Sequence, residues 1–104
     1  MDALVTVFKA VGDPVRLRLF ELLSLHDEVC VCHLVDALQI PQSTISRHLG
    51  ILRHAGLVDT RREGKWMYYR LTGDLSLPLA GLLQCTQSDT LEQDANALKK
   101  VLAA

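Results

Sequence analysis

Aromatic residues are scarce in this 104-residue chain, at 5%. Any core must therefore be built from Leu, Val, Ala and Ile within a 49% hydrophobic complement, which suits helices packed on helices. Cysteine is also sparse. Three residues, an odd number, exclude a disulfide framework, and clustered thiols in a reducing compartment point instead to metal or redox chemistry. There is no long uncharged apolar run and no basic, apolar leader, so neither a membrane span nor a secretory signal is expected. The expectation is a soluble, cytoplasmic protein forming one domain over 1–104. So small a domain buries a modest core, and association with a second copy is a natural way to hide more apolar surface.

An overall excess of positive charge is missing too: the net charge is −1. The distribution is uneven, however. Residues 41–70 hold six Lys/Arg (Arg47, Arg53, Arg61, Arg62, Lys65, Arg70) against two acids (Asp59, Glu63), while the remainder holds five against ten. A basic block inside an acidic chain is enough for local phosphate contact.

The hydrophobic spacing predicts a chain of short helices. Leu4, Val5, Phe8 and Val11 place one over about 2–11, ended by Gly12. Asp13-Pro14 opens a second, with Asp13 as N-cap and Pro14 where a missing N–H costs nothing. Val31, Leu34, Val35 and Leu38 predict a third over 31–38, with Cys30 at its N-cap and His33 third in the helix. After the break at Gln39-Ile40-Pro41, a fourth runs from Gln42 to Ala55, stopped by Gly56. Residues 57–62 and 66–71 read as two strands joined by a turn at Glu63-Gly64-Lys65. Asp74 is expected to cap a further helix through Leu83. Asp89, with Glu92 three residues on, is expected to open a last helix to about 103.

This order is a helix-turn-helix (about 31–55) followed by a hairpin wing (about 57–71). The fold class is thus mainly α with a small β-hairpin, a winged helix-turn-helix. The leading end of the fourth helix presents Gln42, Ser43, Thr44, Ser46 and Arg47 opposite the apolar stripe Ile45, Leu49 and Leu52. Gln and Arg can make bidentate contacts to adenine and guanine edges, and Ser and Thr reach phosphates or bases, as a helix in the major groove requires. Arg61, Arg62 and Lys65 are placed to meet the phosphate backbone or minor groove. His48 is read as packing against the domain, and Trp66, Tyr68 and Tyr69 as structural residues of a wing packed on the core.

Ser43-Thr44-Ile45-Ser46-Arg47-His48-Leu49, Leu52-Arg53-His54-Ala55-Gly56-Leu57-Val58, Asp13-Pro14-Val15-Arg16-Leu17-Arg18-Leu19 and Gly64-Lys65-Trp66-Met67-Tyr68-Tyr69-Arg70-Leu71 together resemble the ArsR/SmtB repressors over residues 3–72. The resemblance implies a homodimeric repressor of double-stranded operator DNA, released when a metal or metalloid binds, with dimer contacts from helices at about 2–11 and 74–103.

Cys30-Val31-Cys32-His33 is the chemically informative stretch. Soft acceptors such as arsenite, antimonite and cadmium prefer thiolate, and two thiols one residue apart can chelate. In a regular helix, positions i and i+2 point about 200° apart, whereas in an extended segment they face the same way. Chelation therefore requires the helix entry to be unwound or already extended. A helix N-terminus is expected to lower the thiol pKa values. The pattern resembles the arsenic-responsive branch of the family, C-V-C-D-L-C, with two departures. His33 stands in place of Asp, which makes a sulfur–nitrogen site for zinc or cadmium conceivable, and Val35 replaces a third Cys. The third ligand is left open between Cys85, His33, a small thiol, water or none, and Cys85 is read more readily as a buried small hydrophobe. No organic cofactor is indicated. Zinc sites of the family that use the last helix or N-terminal cysteines are excluded, since no His follows His54 and no Cys precedes Cys30. Three alternatives stay open: a DNA-binding redox sensor using the same dithiol, a small thiol enzyme, and a winged helix serving only protein contacts.

Overall fold

A computed structural model describes residues 2–86 and 88–104. The chain begins with α1 (Asp2–Val11), which turns Val7 and Ala10 inward. Asp13, in extended conformation, caps α2 (Pro14–Ser24); its Oδ2 accepts hydrogen bonds from the amides of Val15 and Arg16 at 3.0 and 3.1 Å. Two of the helix's unpaired donors are thereby satisfied. Leu19, Phe20, Leu22 and Leu23 of α2 are fully buried and form the centre of the core.

A two-residue strand, β1 (Val29–Cys30), leads directly into α3 (Val31–Leu38). Gln39 ends α3 in the left-handed conformation, at φ 56°, and its amide donates to the Val35 carbonyl. Pro41 then opens α4 (Gln42–His54), its carbonyl accepting from Thr44 and Ile45. Strands β2 (Val58–Glu63) and β3 (Trp66–Leu71) form the wing. The sheet order is β1-β3-β2, antiparallel throughout, with Cys30 opposite Tyr68 and Arg61 opposite the other side of Tyr68. The architecture is the mainly helical winged helix-turn-helix expected, with β1 added. Two residues carry no readable alternation, so only the partner strand reveals β1.

The wing joins the last two helices, α5 (Ser76–Gln84) and α6 (Asp89–Ala103), at a crowded corner. Gly73, at φ +87°, passes so close to the Gly56 carbonyl that a Cβ there would lie 2.5 Å from its oxygen. The buried Ser76 hydroxyl donates to the Leu57 carbonyl at 3.0 Å. α6 packs on α2 and α3 through buried Leu98 and Asp94, and Arg18 meets Asp94 in a two-point pair of 2.8 and 3.0 Å.

Two cap assignments change. Leu75, not Asp74, precedes α5, and no side chain caps that helix. Ser88, not Asp89, caps α6 by accepting from the Leu91 amide, which puts Glu92 one position beyond the capping-box site. Among the described residues no helix is long and apolar enough to cross a membrane.

Candidate nucleic-acid interface and thiol site

The polar residues expected at the leading end of α4 are on its outer face. Gln42, Ser43, Ser46 and Arg47 are exposed and Thr44 is half-buried, while Ile45, Leu49 and Leu52 have no exposure. The helix is held at this angle by its fourth buried residue, His48. Arg16 Nη1 lies 3.1 Å from His48 Nδ1, and Arg16 also donates to the carbonyl of Ala10 at 2.6 Å. An arginine can only donate, so His48 Nδ1 is the acceptor and Nε2 carries the proton in the neutral ring. Burial holds the His48 pKa below its ordinary value, outweighing the pull of Asp13 3.8 Å away. His48 thus orients α4, as read from the sequence. Arg16 is a residue whose role the sequence did not reveal, because the pair spans two helices far apart in the chain.

Of the wing cations, Arg61, Arg62 and Lys65 are all exposed, but they are not equivalent. Arg61 is engaged. It makes a two-point pair with Glu28 at 3.2 and 2.5 Å, lies 3.4 Å from Glu63 and sits 4.6 Å over the Tyr68 ring. The guanidinium in turn holds the Glu28 carboxyl below its usual range. Lys65 lies 5.1 Å over the Trp66 ring, near the wing tip. The aromatics differ from expectation: Tyr69 packs against the core, but Trp66 is 45% exposed and its ring lies outside the core.

Cys30 and Cys32 line one small open cavity of about 110 Å³ together with His33, Trp66 and Tyr68. The helical geometry that would set the two thiols 200° apart does not apply. Cys30 has extended dihedrals (φ −69°, ψ 140°) and belongs to β1, so only Cys32 is on the helix. The Cys30 sulfur folds back to accept from the Cys32 amide at 3.4 Å. The entry is therefore already half extended. The expected lowering of the thiol pKa is overturned at Cys32, which burial and the adjacent Cys30 sulfur push up to about 11. Desolvation and a second sulfur outweigh the helix dipole there.

Two thiols suit a soft acceptor, and His33 lines the same cavity. Among the described residues, however, no three His, Cys, Asp or Glu side chains converge to hold a metal ion. Cys85 does not line this cavity. It follows α5 as an exposed C-cap residue, not the buried hydrophobe expected. Trp66 and Tyr68 join this site without a signal in the sequence, since their proximity to the cysteines depends on the β1–β3 pairing.

Residues 13–60 match the family model described as bacterial regulatory protein, arsR family. The arsenic resistance transcriptional regulator ArsR2 of Pseudomonas putida is 41% identical over 98 residues, which span 91% of this chain and 85% of that protein. The arsenical resistance operon repressor of Escherichia coli is 47% identical over 68 residues, 65% of this chain and 58% of that one. Among solved structures, HlyU from Vibrio cholerae superposes with a TM-score of 0.76 at 32% identity, covering 81% of this chain and 90% of that one. The homodimeric winged helix-turn-helix DNA-binding domain Mb0332 from Mycobacterium bovis does so with 0.73 at 34% identity, covering 81% and 77%. These are DNA-binding regulators and not enzymes, which removes the thiol-enzyme alternative. The chain belongs to the ArsR family of transcriptional regulators.

Proposed function

We propose that this chain is a cytoplasmic, homodimeric repressor that binds double-stranded operator DNA and releases it when arsenite or antimonite binds Cys30 and Cys32. The observation that carries this reading is the shared cavity: both cysteines line one space at the entry of the helix that supports α4. Gln42, Ser43, Thr44, Ser46 and Arg47 enter the major groove and read base edges. Arg62 and Lys65 contact backbone or minor groove, and Arg61 contributes less because Glu28 offsets its charge.

The dimer face lies on α1 and α5. Leu4, Val5 and Phe8 of α1 and Leu77 and Leu82 of α5 are exposed, and an apolar recess among α1, α2 and α5 is lined by Phe8, Val11, Leu17, Phe20, Leu79 and Leu82. Such a patch on a small domain is costly unless covered. α6 turns its buried residues inward, and Leu102 is its exposed large apolar residue. A symmetric dimer reads two half-sites about one helical turn, or a multiple, apart.

Cadmium and zinc are the competing inducers. A trivalent metalloid held by two sulfurs needs one further donor, supplied by a small thiol, water, His33 after a side-chain rotation, or Cys85 of a second copy. An ion that engages the Cys30 sulfur competes with its bond to the Cys32 amide, so helix entry and occupancy are linked. A tenfold fall in DNA affinity requires only about 1.4 kcal/mol of coupling.

The test is operator binding titrated with arsenite, antimonite, cadmium and zinc, using the parent and the Cys30→Ser, Cys32→Ser, His33→Ala and Cys85→Ser variants. The reading requires Cys30→Ser and Cys32→Ser to stay on DNA at metalloid concentrations that release the parent. Release of both variants at the parental concentration defeats it. Peroxide replacing arsenite separates the redox alternative: a disulfide across one intervening residue closes only a strained loop, and release by peroxide alone would favour it. The absence of a salt-dependent gel shift on palindromic DNA would favour the protein-contact alternative.

A further inference from the structure

The thiol cavity has two walls from different elements. One is the entry of α3, with Cys30, Cys32 and His33; the other is the wing strand β3, with Trp66 and Tyr68. This follows from the sheet. Directly opposed residues of antiparallel strands project to the same face. Cys30 opposes Tyr68, and Tyr68 opposes Arg61, so these three side chains form a row across β1, β3 and β2. Glu28, two residues before Cys30, ends the row by pairing with Arg61, which stacks on Tyr68. The alternate row, Val29, Tyr69 and Thr60, lies on the opposite, core-side face.

We propose that Trp66 and Tyr68 are the second half of the effector site, and that the wing reads its occupancy through the Tyr68–Arg61–Glu28 connection. The proposal rests on the thiol-site reading above. A cavity of about 110 Å³ has room for an ion and a few water-sized ligands, since a water takes about 30 Å³. An ion held by both sulfurs therefore lies against the two rings, and a shift of Tyr68 carries Arg61 with it. Arg62 and Lys65 follow because they share the same hairpin. The effector's differential affinity for the two wing positions comes from these ring contacts, as a population shift requires. Glu28, Arg61 and Tyr68 are positioning residues in this scheme.

Trp66 is the chain's only tryptophan, so its fluorescence reports occupancy without DNA. Sodium arsenite and cadmium chloride are the probes. Glu28→Gln removes the charge that anchors Arg61, and Tyr68→Leu removes the ring; Tyr68→Phe keeps it. All are measured as the ratio of operator affinity without and with the ion, which cancels any change in basal affinity, and circular dichroism verifies folding. The expected result is a Trp66 response in every variant. The ion-induced loss of DNA affinity should shrink at least fivefold in Glu28→Gln and Tyr68→Leu and stay parental in Tyr68→Phe. A parental ratio in Glu28→Gln, a half-buried position outside the hydrophobic core, overturns the wing as the reader. A parent protein released by the ion without any Trp66 change overturns the wall assignment. Release that persists in Cys30→Ser and Cys32→Ser overturns the underlying thiol reading instead.

Discussion

Gly73 offers a sharp test of how the wing is joined to the rest of the domain. Replacing it with alanine does two unfavourable things. At φ +87° the added Cβ meets the left-handed penalty of roughly 1–2 kcal/mol. It also lands 2.5 Å from the Gly56 carbonyl oxygen, a backbone atom that cannot rotate away. Forcing such an overlap costs roughly 1–3 kcal/mol in addition. Gly56 is the natural control. Its φ is +81°, but a Cβ there meets nothing within 4 Å, so Gly56→Ala carries only the conformational penalty. The lower unfolded-state entropy of alanine, about 0.4–1 kcal/mol, favours both variants and cancels between them. Gly73→Ala should thus be less stable than Gly56→Ala by about 1–3 kcal/mol. With 4–8 °C per kcal/mol for a domain near this size, the two midpoints should differ by roughly 4–24 °C. Urea and thermal unfolding at one fixed protomer concentration make the measurement, since dimerisation makes the midpoint concentration-dependent. Equal stability of the two variants would show that the corner between Gly56 and Gly73 is not close-packed, and would refute the account of how α5 is anchored to the wing.

Other perturbations have equally definite outcomes. His48 has a depressed folded-state pKa, so its contribution is fully present above the unfolded value of about 6.5 and is lost as pH falls below it; His48→Gln should flatten the stability–pH curve just below 6.5, and an unchanged slope would count against the assignment. Asp13, also depressed, adds a second acid-side loss below about pH 4, which Asp13→Asn should remove in urea titrations at pH 3 to 5. Arg18→Met leaves the buried Asp94 unpaired near Glu21 and should cost roughly 2–3 kcal/mol, below the range for a fully buried pair because Arg18 is 27% exposed; adding Asp94→Leu should recover most of the loss. Gly50→Ala, in the middle of α4 with open space around its Cβ, should stabilise the protein by about 0.5–1 kcal/mol in the same unfolding assay.

Local chemistry in the chain determined the helices, the turn between α3 and α4, the outward polar face of α4 and the wing hairpin. Each depends on neighbours within a few residues: Asp13 capping its own helix, Ile45, Leu49 and Leu52 repeating at helical spacing, Gly64 permitting the turn. The pairing of two thiols at the entry of α3 was legible for the same reason. Only the tertiary structure decided what faces those thiols. Two residues become β1 because β3 lies alongside to accept their backbone bonds, and that pairing brings Tyr68 and Trp66 to Cys30 across the sheet. The tertiary structure also commits Arg61 to Glu28, ties His48 to Arg16 and leaves Cys85 exposed. The Cys32 thiol is pushed up rather than down because desolvation depends on everything packed around it, whereas the helix dipole belongs to the helix alone.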